Sequence, residues 1–88
     1  MDILIIDHAR ERMVSRGATE EEVRATVRDG RSVSAKAGRQ ARESVFPYNG
    51  TWQGQRYPQK KVRAVCVAEE DRLVVITVYV YYGVWERS

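Results

Sequence analysis

"KVRAVCVAEEDRLVVITVYVYY", residues 61 to 82, decides the fold. Two runs rich in valine flank the acidic pair Glu70-Asp71, and β-branched and aromatic side chains of this kind favour strands. A two-residue loop at the acidic pair predicts an antiparallel hairpin in which partner positions sum to 141. Val67 then faces Val74 and Val65 faces Ile76 on one side. Cys66 faces Val75 and Ala64 faces Thr77 on the other. Both sides are apolar, so these strands belong in the middle of a sheet.

Working toward the N-terminus, the Asn49-Gly50 pair is a strong hairpin signal. It predicts that "QARESVF" at 40–46 returns toward the Lys60-Lys61 strand. Gly38 and Arg39 turn a weaker candidate, "RSVSAKA", into that segment. Further upstream the pattern changes to helical. Asp7 offers an N-cap, and Ala9, Met13 and Val14 mark one face of a helix that Gly17 ends. Thr19 and Glu22 match a capping box. They open a second helix with Val23, Thr26 and Val27 inward and Gly30 at its close. "ILII" at 3–6 is short enough for a buried strand. The expected fold class is α+β: a short N-terminal strand, then two helices packed on a three- to four-stranded antiparallel sheet.

The 88 residues suit a single domain, 1–88, with an ordinary apolar share of 43%. The opening "MDILIID" is too short and too acidic for a signal or a membrane span, so a cytoplasmic protein with no membrane partner is expected. One cysteine, Cys66, excludes an intrachain disulfide. Its apolar neighbours predict a buried, inert thiol. With one histidine besides, no metal site and no cofactor are expected.

The net charge of +3 conceals an asymmetry. Residues 30–63 carry eight basic side chains against Glu43 alone, whereas each flanking third is net acidic. The same basic third holds "FPYNGTWQGQRYPQKK", with four of the eight aromatic residues of the chain. Rings among cations suit unpaired nucleic-acid bases, which stack while the backbone is held. The plainer reading is that these rings fold over a sheet edge to complete a thin core.

Set in order, "HARERMVSRGATEEEV" and "FPYNGTWQGQRYPQKKVRAVCVAEEDRLVVITVYVYY" resemble the bacterial family known as domain of unknown function 4258. The most specific elements are His8 with Arg12-Met13 and Arg16-Gly17, the Trp52, Tyr57 and Lys60 run, and Ile76-Thr77-Val78-Tyr79. The family is remotely similar to RelE- and BrnT-like toxins, small ribonucleases with helices on an antiparallel sheet. The resemblance implies a RelE/BrnT-like arrangement, and RNA or a small acidic antitoxin as partner.

Metal-independent RNA cleavage needs a base for the 2′-hydroxyl, cations for the phosphate and an acid for the leaving oxygen. The catalytic candidates are His8, Arg12, Lys60, Lys61, Arg63 and Tyr79. The lysines, Arg63 and the tyrosines enter the central hairpin at the end away from its acidic turn. The RNA-binding candidates are Tyr48, Trp52, Arg56, Tyr57 and Tyr81. His8 reads equally as a structural residue in the first helical turn, and Arg10, Arg12 and Arg16 as a solvated face. Two other classes stand beside the ribonuclease. One is a non-catalytic protein-interaction module or an inactive relative of the toxins, with a homodimer as a separate partner expectation. The other is a helix-turn-helix DNA binder, disfavoured by three glutamates opening the second helix.

Overall fold

The computed structural model describes residues 2–85. In chain order it contains β1 (Asp2–Ile5), α1 (Asp7–Arg16), α2 (Glu20–Asp29), β2 (Arg31–Val33), β3 (Gln40–Trp52), β4 (Gln55–Glu69) and β5 (Arg72–Gly83). They form one five-stranded sheet in the order β1-β5-β4-β3-β2. This corrects the expected three- to four-stranded antiparallel sheet. β1 lies parallel to β5, pairing Ile5 with Val75, so the sheet is mixed. The two helices carry the chain from β1 at one edge of the sheet to β2 at the other. That traverse lets β1 and β5 run in the same direction, because parallel neighbours need a long connection. The hydrophobic pattern identified the strand but not its partner.

The helices cover one face. Ala9 and Met13 of α1 and Val23 and Val27 of α2 pack with Ile5, Val62, Ala64, Cys66, Val75 and Val78. Val14, expected on the inner face of α1, is 83% exposed. A helix of ten residues needs only a narrow stripe, and Val14 lies 100° around from Met13. α1 begins at Asp7 itself, with Ile6 in the N-cap position and no side-chain cap. Gly17 ends it at φ 84°, and the backbone N–H groups of Gly17 and Ala18 both donate to the Met13 carbonyl. The capping box of α2 forms as expected: Glu22 N–H donates to Thr19 Oγ1, and Thr19 N–H donates to Glu22 Oε1.

The hairpins follow the turn chemistry with one exchange. The β4–β5 turn sits at Glu70-Asp71, between paired Glu69 and Arg72. The β3–β4 turn is Gln53-Gly54, with φ of 50° and 82°, between paired Trp52 and Gln55. Two left-handed residues suit a tight two-residue hairpin. Asn49-Gly50 instead lies within β3, where the pairing slips between Pro47 and Gly50 and Asn49 takes φ 48°. "RSVSAKA" forms a strand only over Arg31–Val33.

One irregularity in β5 fixes which side chains face which way. The 141 register holds for Val67–Val74 and Cys66–Val75, then shifts so that Val65 pairs with Thr77. Ile76 is the extra residue of a β-bulge. Beyond it Tyr79 lies opposite Arg63, not Val62, and Lys61 lies opposite Tyr81. The slip turns Val78, Val80 and Tyr82 toward the helices and Thr77, Tyr79 and Tyr81 to the uncovered face. Without it Val78, now fully buried, would point to solvent.

Lys60 joins the helical turn to the sheet. Its side chain is buried, and Nζ lies 2.8 Å from both the Gly17 carbonyl and Glu22 Oε1. Above it Tyr82 donates its hydroxyl to the Arg16 carbonyl at 2.8 Å. Trp52 stacks on the Tyr82 ring at 4.7 Å, and Tyr48 and Tyr57 approach it at 5.1 and 5.7 Å. A Cβ at Gly17 would come within 2.4 Å of the Tyr82 hydroxyl, so the turn accepts only glycine against this cluster.

Lys60→Ala strands the Glu22 carboxylate and the Gly17 carbonyl, and should lower stability by about 2–4 kcal/mol. A urea-unfolding midpoint equal to wild type would refute this clamp. Burial pushes the Cys66 thiol from 9.0 up to about 11. The Tyr82 phenol rises from 10.0 to about 12, through burial first and then Tyr48 and Glu22 nearby. Both groups stay neutral in the fold where the unfolded chain ionises. Their stabilisation is therefore whole below pH 9 and declines as pH rises, toward about 11 for Cys66 and about 12 for Tyr82. Urea midpoints measured from pH 8 to 11 should fall, and Cys66→Ala with Tyr82→Phe should flatten the decline.

Candidate functional site

The helices leave the second face of the sheet uncovered. Alternation along β3, β4 and β5 places three rows of side chains there. The first is Val45, Lys61 and Tyr81, and the second is Glu43, Arg63 and Tyr79. The third is Ala41, Val65 and Thr77. β2 extends the second row with Arg31, which pairs with Glu43.

Glu43 is the electrostatic centre. It is the sole acid of residues 30–63 and it is buried. Arg63 forms an ion pair and a hydrogen bond with its Oε2. Lys61 and Arg31 stand 3.9 and 4.0 Å from its Oε1. Lys61 and Arg63 also each meet a ring. Lys61 Nζ lies 4.7 Å from the centre of the Trp85 ring, and the Arg63 guanidinium 5.4 Å from that of Tyr81. Trp85 is placed by its backbone N–H, which donates to Gln59 Oε1 at 2.6 Å. Tyr79 is 39% exposed and Tyr81 40%. Lys36 and Arg39, on the segment joining β2 to β3, border the same face beside Arg63 and Tyr79. Among the described residues neither makes an ion pair.

Arg16 reaches this face around the edge of the sheet. β1 pairs only with Arg72–Val75, so β5 beyond it has an open edge. The Arg16 guanidinium donates to the Val78 carbonyl at 2.7 Å and lies 5.0 Å from the Tyr79 ring centre. It both blunts an edge that would otherwise invite strand pairing and holds the ring.

The expected site residues therefore divide. Lys61, Arg63, Tyr79 and Tyr81 come together on the uncovered face. Lys60 points the other way, into its contact with Glu22 and Gly17. Tyr48, Trp52 and Tyr57 lie on the helix side around Tyr82. Arg56 spans the β3–β4 hairpin, donating to the Asn49 carbonyl at 3.2 Å. His8 and Arg12 are exposed on α1, with the sheet between them and Arg63. The bulge at Ile76 accounts for Tyr79 and Tyr81, since any uninterrupted register puts Tyr79 on the helix side, whereas Lys60 parts from Lys61 and Arg63 by alternation along β4. Glu43, Trp85, Lys36 and Arg39 are the participants that sequence reasoning missed. The lone acid in a basic third was the signal for Glu43.

Among the described residues, no three His, Cys, Asp or Glu side chains gather as metal ligands. No helix among them is long and apolar enough to cross a membrane. No curated protein and no solved structure matches the chain. Residues 5–80 match the model of a family described as a domain of unknown function, DUF4258. That match does not extend to RelE- or BrnT-like toxins. It spans most of the 88 residues, from β1 through the Tyr79 row of β5, and the chain belongs to the DUF4258 family.

Proposed function

We propose that the uncovered sheet face binds single-stranded RNA. The observation that carries this reading is the interleaving of Lys61 and Arg63 with Tyr79, Tyr81 and Trp85 on a face with one buried acid. Tyrosine and tryptophan faces stack on unpaired bases irrespective of sequence. Lysine and arginine neutralise the phosphates between them. Duplexes keep their bases stacked on one another, so a flat aromatic sheet favours single strands.

Cleavage is the second reading, and Glu43 favours it. A carboxylate beside Arg63 and Lys61 supplies a proton acceptor next to two phosphate-binding cations, and Tyr79 is the neighbouring acid. His8, Arg12 and Lys60 stand outside this group. A metal-independent ribonuclease of this kind yields cyclic-phosphate ends in the presence of a chelator, and Glu43→Gln abolishes them.

Fluorescence anisotropy with a labelled single-stranded RNA tests binding. Tyr79→Ala and Tyr81→Ala should each weaken it about tenfold, the effect of about 1.4 kcal/mol of lost stacking. Lys61→Ala should reduce the salt dependence by about 0.7 in the log–log slope. His8→Ala and Arg12→Ala should leave affinity unchanged. Equal loss from the α1 substitutions, or no affinity for RNA in wild type, overturns the reading in favour of an interaction module that takes an acidic protein.

A further inference from the structure

The uncovered face has a wall at one end. The segment joining β2 to β3 folds over the third row, so that Ser34, Lys36 and Arg39 share a recess with Arg63, Thr77 and Tyr79. A turn holds the segment: Arg39 N–H donates to the Lys36 carbonyl at 3.0 Å, and Gly38 takes φ 80°. The recess measures about 150 Å³. That is room for a phosphate and its first waters.

We infer that this recess seats a terminal phosphomonoester of the bound RNA, with Tyr79 stacking on the adjoining base. The inference rests on the RNA-binding reading for the polymer and on the recess itself for the phosphate. Two features point to a chain end. A strand tracking along the face from Trp85 past Tyr81 and Tyr79 meets the segment 34–39 at the third row. The charges also match an end better than a link. Arg63 shares the Glu43 carboxylate with Lys61 and Arg31, whereas Lys36 and Arg39 make no ion pair among the described residues. Two uncompensated cations suit a phosphomonoester, which carries about −1.5 to −2 near pH 7. An internal phosphodiester carries a single negative charge. Ser34 and Thr77 add hydroxyl donors for its remaining oxygens.

The test compares three single-stranded RNAs of one sequence by anisotropy: one with a 5′-phosphate, one with a 3′-phosphate and one with hydroxyls at both ends. One phosphorylated form should bind at least tenfold more tightly than the hydroxyl form, and the comparison identifies which end enters. In the Lys36→Ala, Arg39→Ala double variant that ratio should fall to about one. Both side chains are exposed, and an unchanged melting temperature checks that the fold is intact. Tyr81→Ala should weaken all three RNAs by a similar factor. A parallel NMR titration with uridine monophosphate and uridine separates the two claims. Preference for the monophosphate that depends on Lys36 and Arg39, without affinity for any oligonucleotide, upholds the recess and defeats the polymer reading. Equal affinity for all three RNAs, or a preference that survives in the double variant, overturns the recess.

Discussion

One extra residue in one strand determines what each side of this molecule can do. β4 and β5 are apolar on both faces near their turn, so packing there tolerates either orientation. Past Ile76 the faces differ, and the bulge assigns them. It sends Val78, Val80 and Tyr82 to the helices and Tyr79 and Tyr81 to the open side. Because side chains alternate strictly, a sheet has no other way to exchange two whole sets of residues. The exchange is favoured by burial: Val78 has no exposed surface, and Tyr82 finds both a hydrogen-bond acceptor and three aromatic neighbours. The uncovered tyrosines are the complement of that packing.

The same hairpin separates two adjacent lysines. Lys60 and Lys61 are consecutive, so they must face opposite ways on a strand. Lys60 enters a closed set of partners, where its charge meets the Glu22 carboxylate and the Gly17 carbonyl. The aromatic cluster of Tyr48, Trp52, Tyr57 and Tyr82 shields that set from water on the helix side. A buried ammonium requires such partners, because leaving it alone costs several kcal/mol. Lys61 keeps a fifth of its side chain exposed, 20%, between Glu43 and Trp85. A dipeptide that reads as one basic motif thus supplies one structural clamp and one surface charge.

Much of the fold was legible because its signals are local. The capping box at Thr19 and Glu22, the stop at Gly17, and the turn at Glu70-Asp71 each depend on residues within one turn of chain. The features that were not legible depend on distant partners. "ILII" reads as a strand, but its place beside β5 is set by where the helices deliver the rest of the chain. Asn49-Gly50 carries the stronger hairpin signal, yet Gln53-Gly54 makes the turn and Asn49 absorbs a slip next to Pro47. The site suffered the same limit. Charge and ring content singled out segments whose side chains the fold divides between the two faces of the sheet. Lys60 follows Val62, Ala64 and Cys66 to the helix side by plain alternation along β4, whereas the places of Trp52 and Tyr57 depend on the slip between Pro47 and Gly50 and on contact with the distant Tyr82 ring.

Glu43 resolves an apparent conflict in the basic third. Lys61 and Arg63 are two positions apart on one face of β4, and Arg31 approaches from β2. Like charges so placed destabilise a sheet. A single buried carboxylate within about 4 Å of all three offsets that repulsion and fixes the directions of the side chains. It does not neutralise the face, because one negative charge stands against three positive ones before Lys36 and Arg39 are counted. Flexible lysine and arginine side chains lose rotamer freedom when they bind an anion, which weakens binding. Here part of that ordering accompanies folding. The lone acid is thus compatible with a polyanion-binding face, and its burial at the centre is what makes the arrangement of cations around it definite.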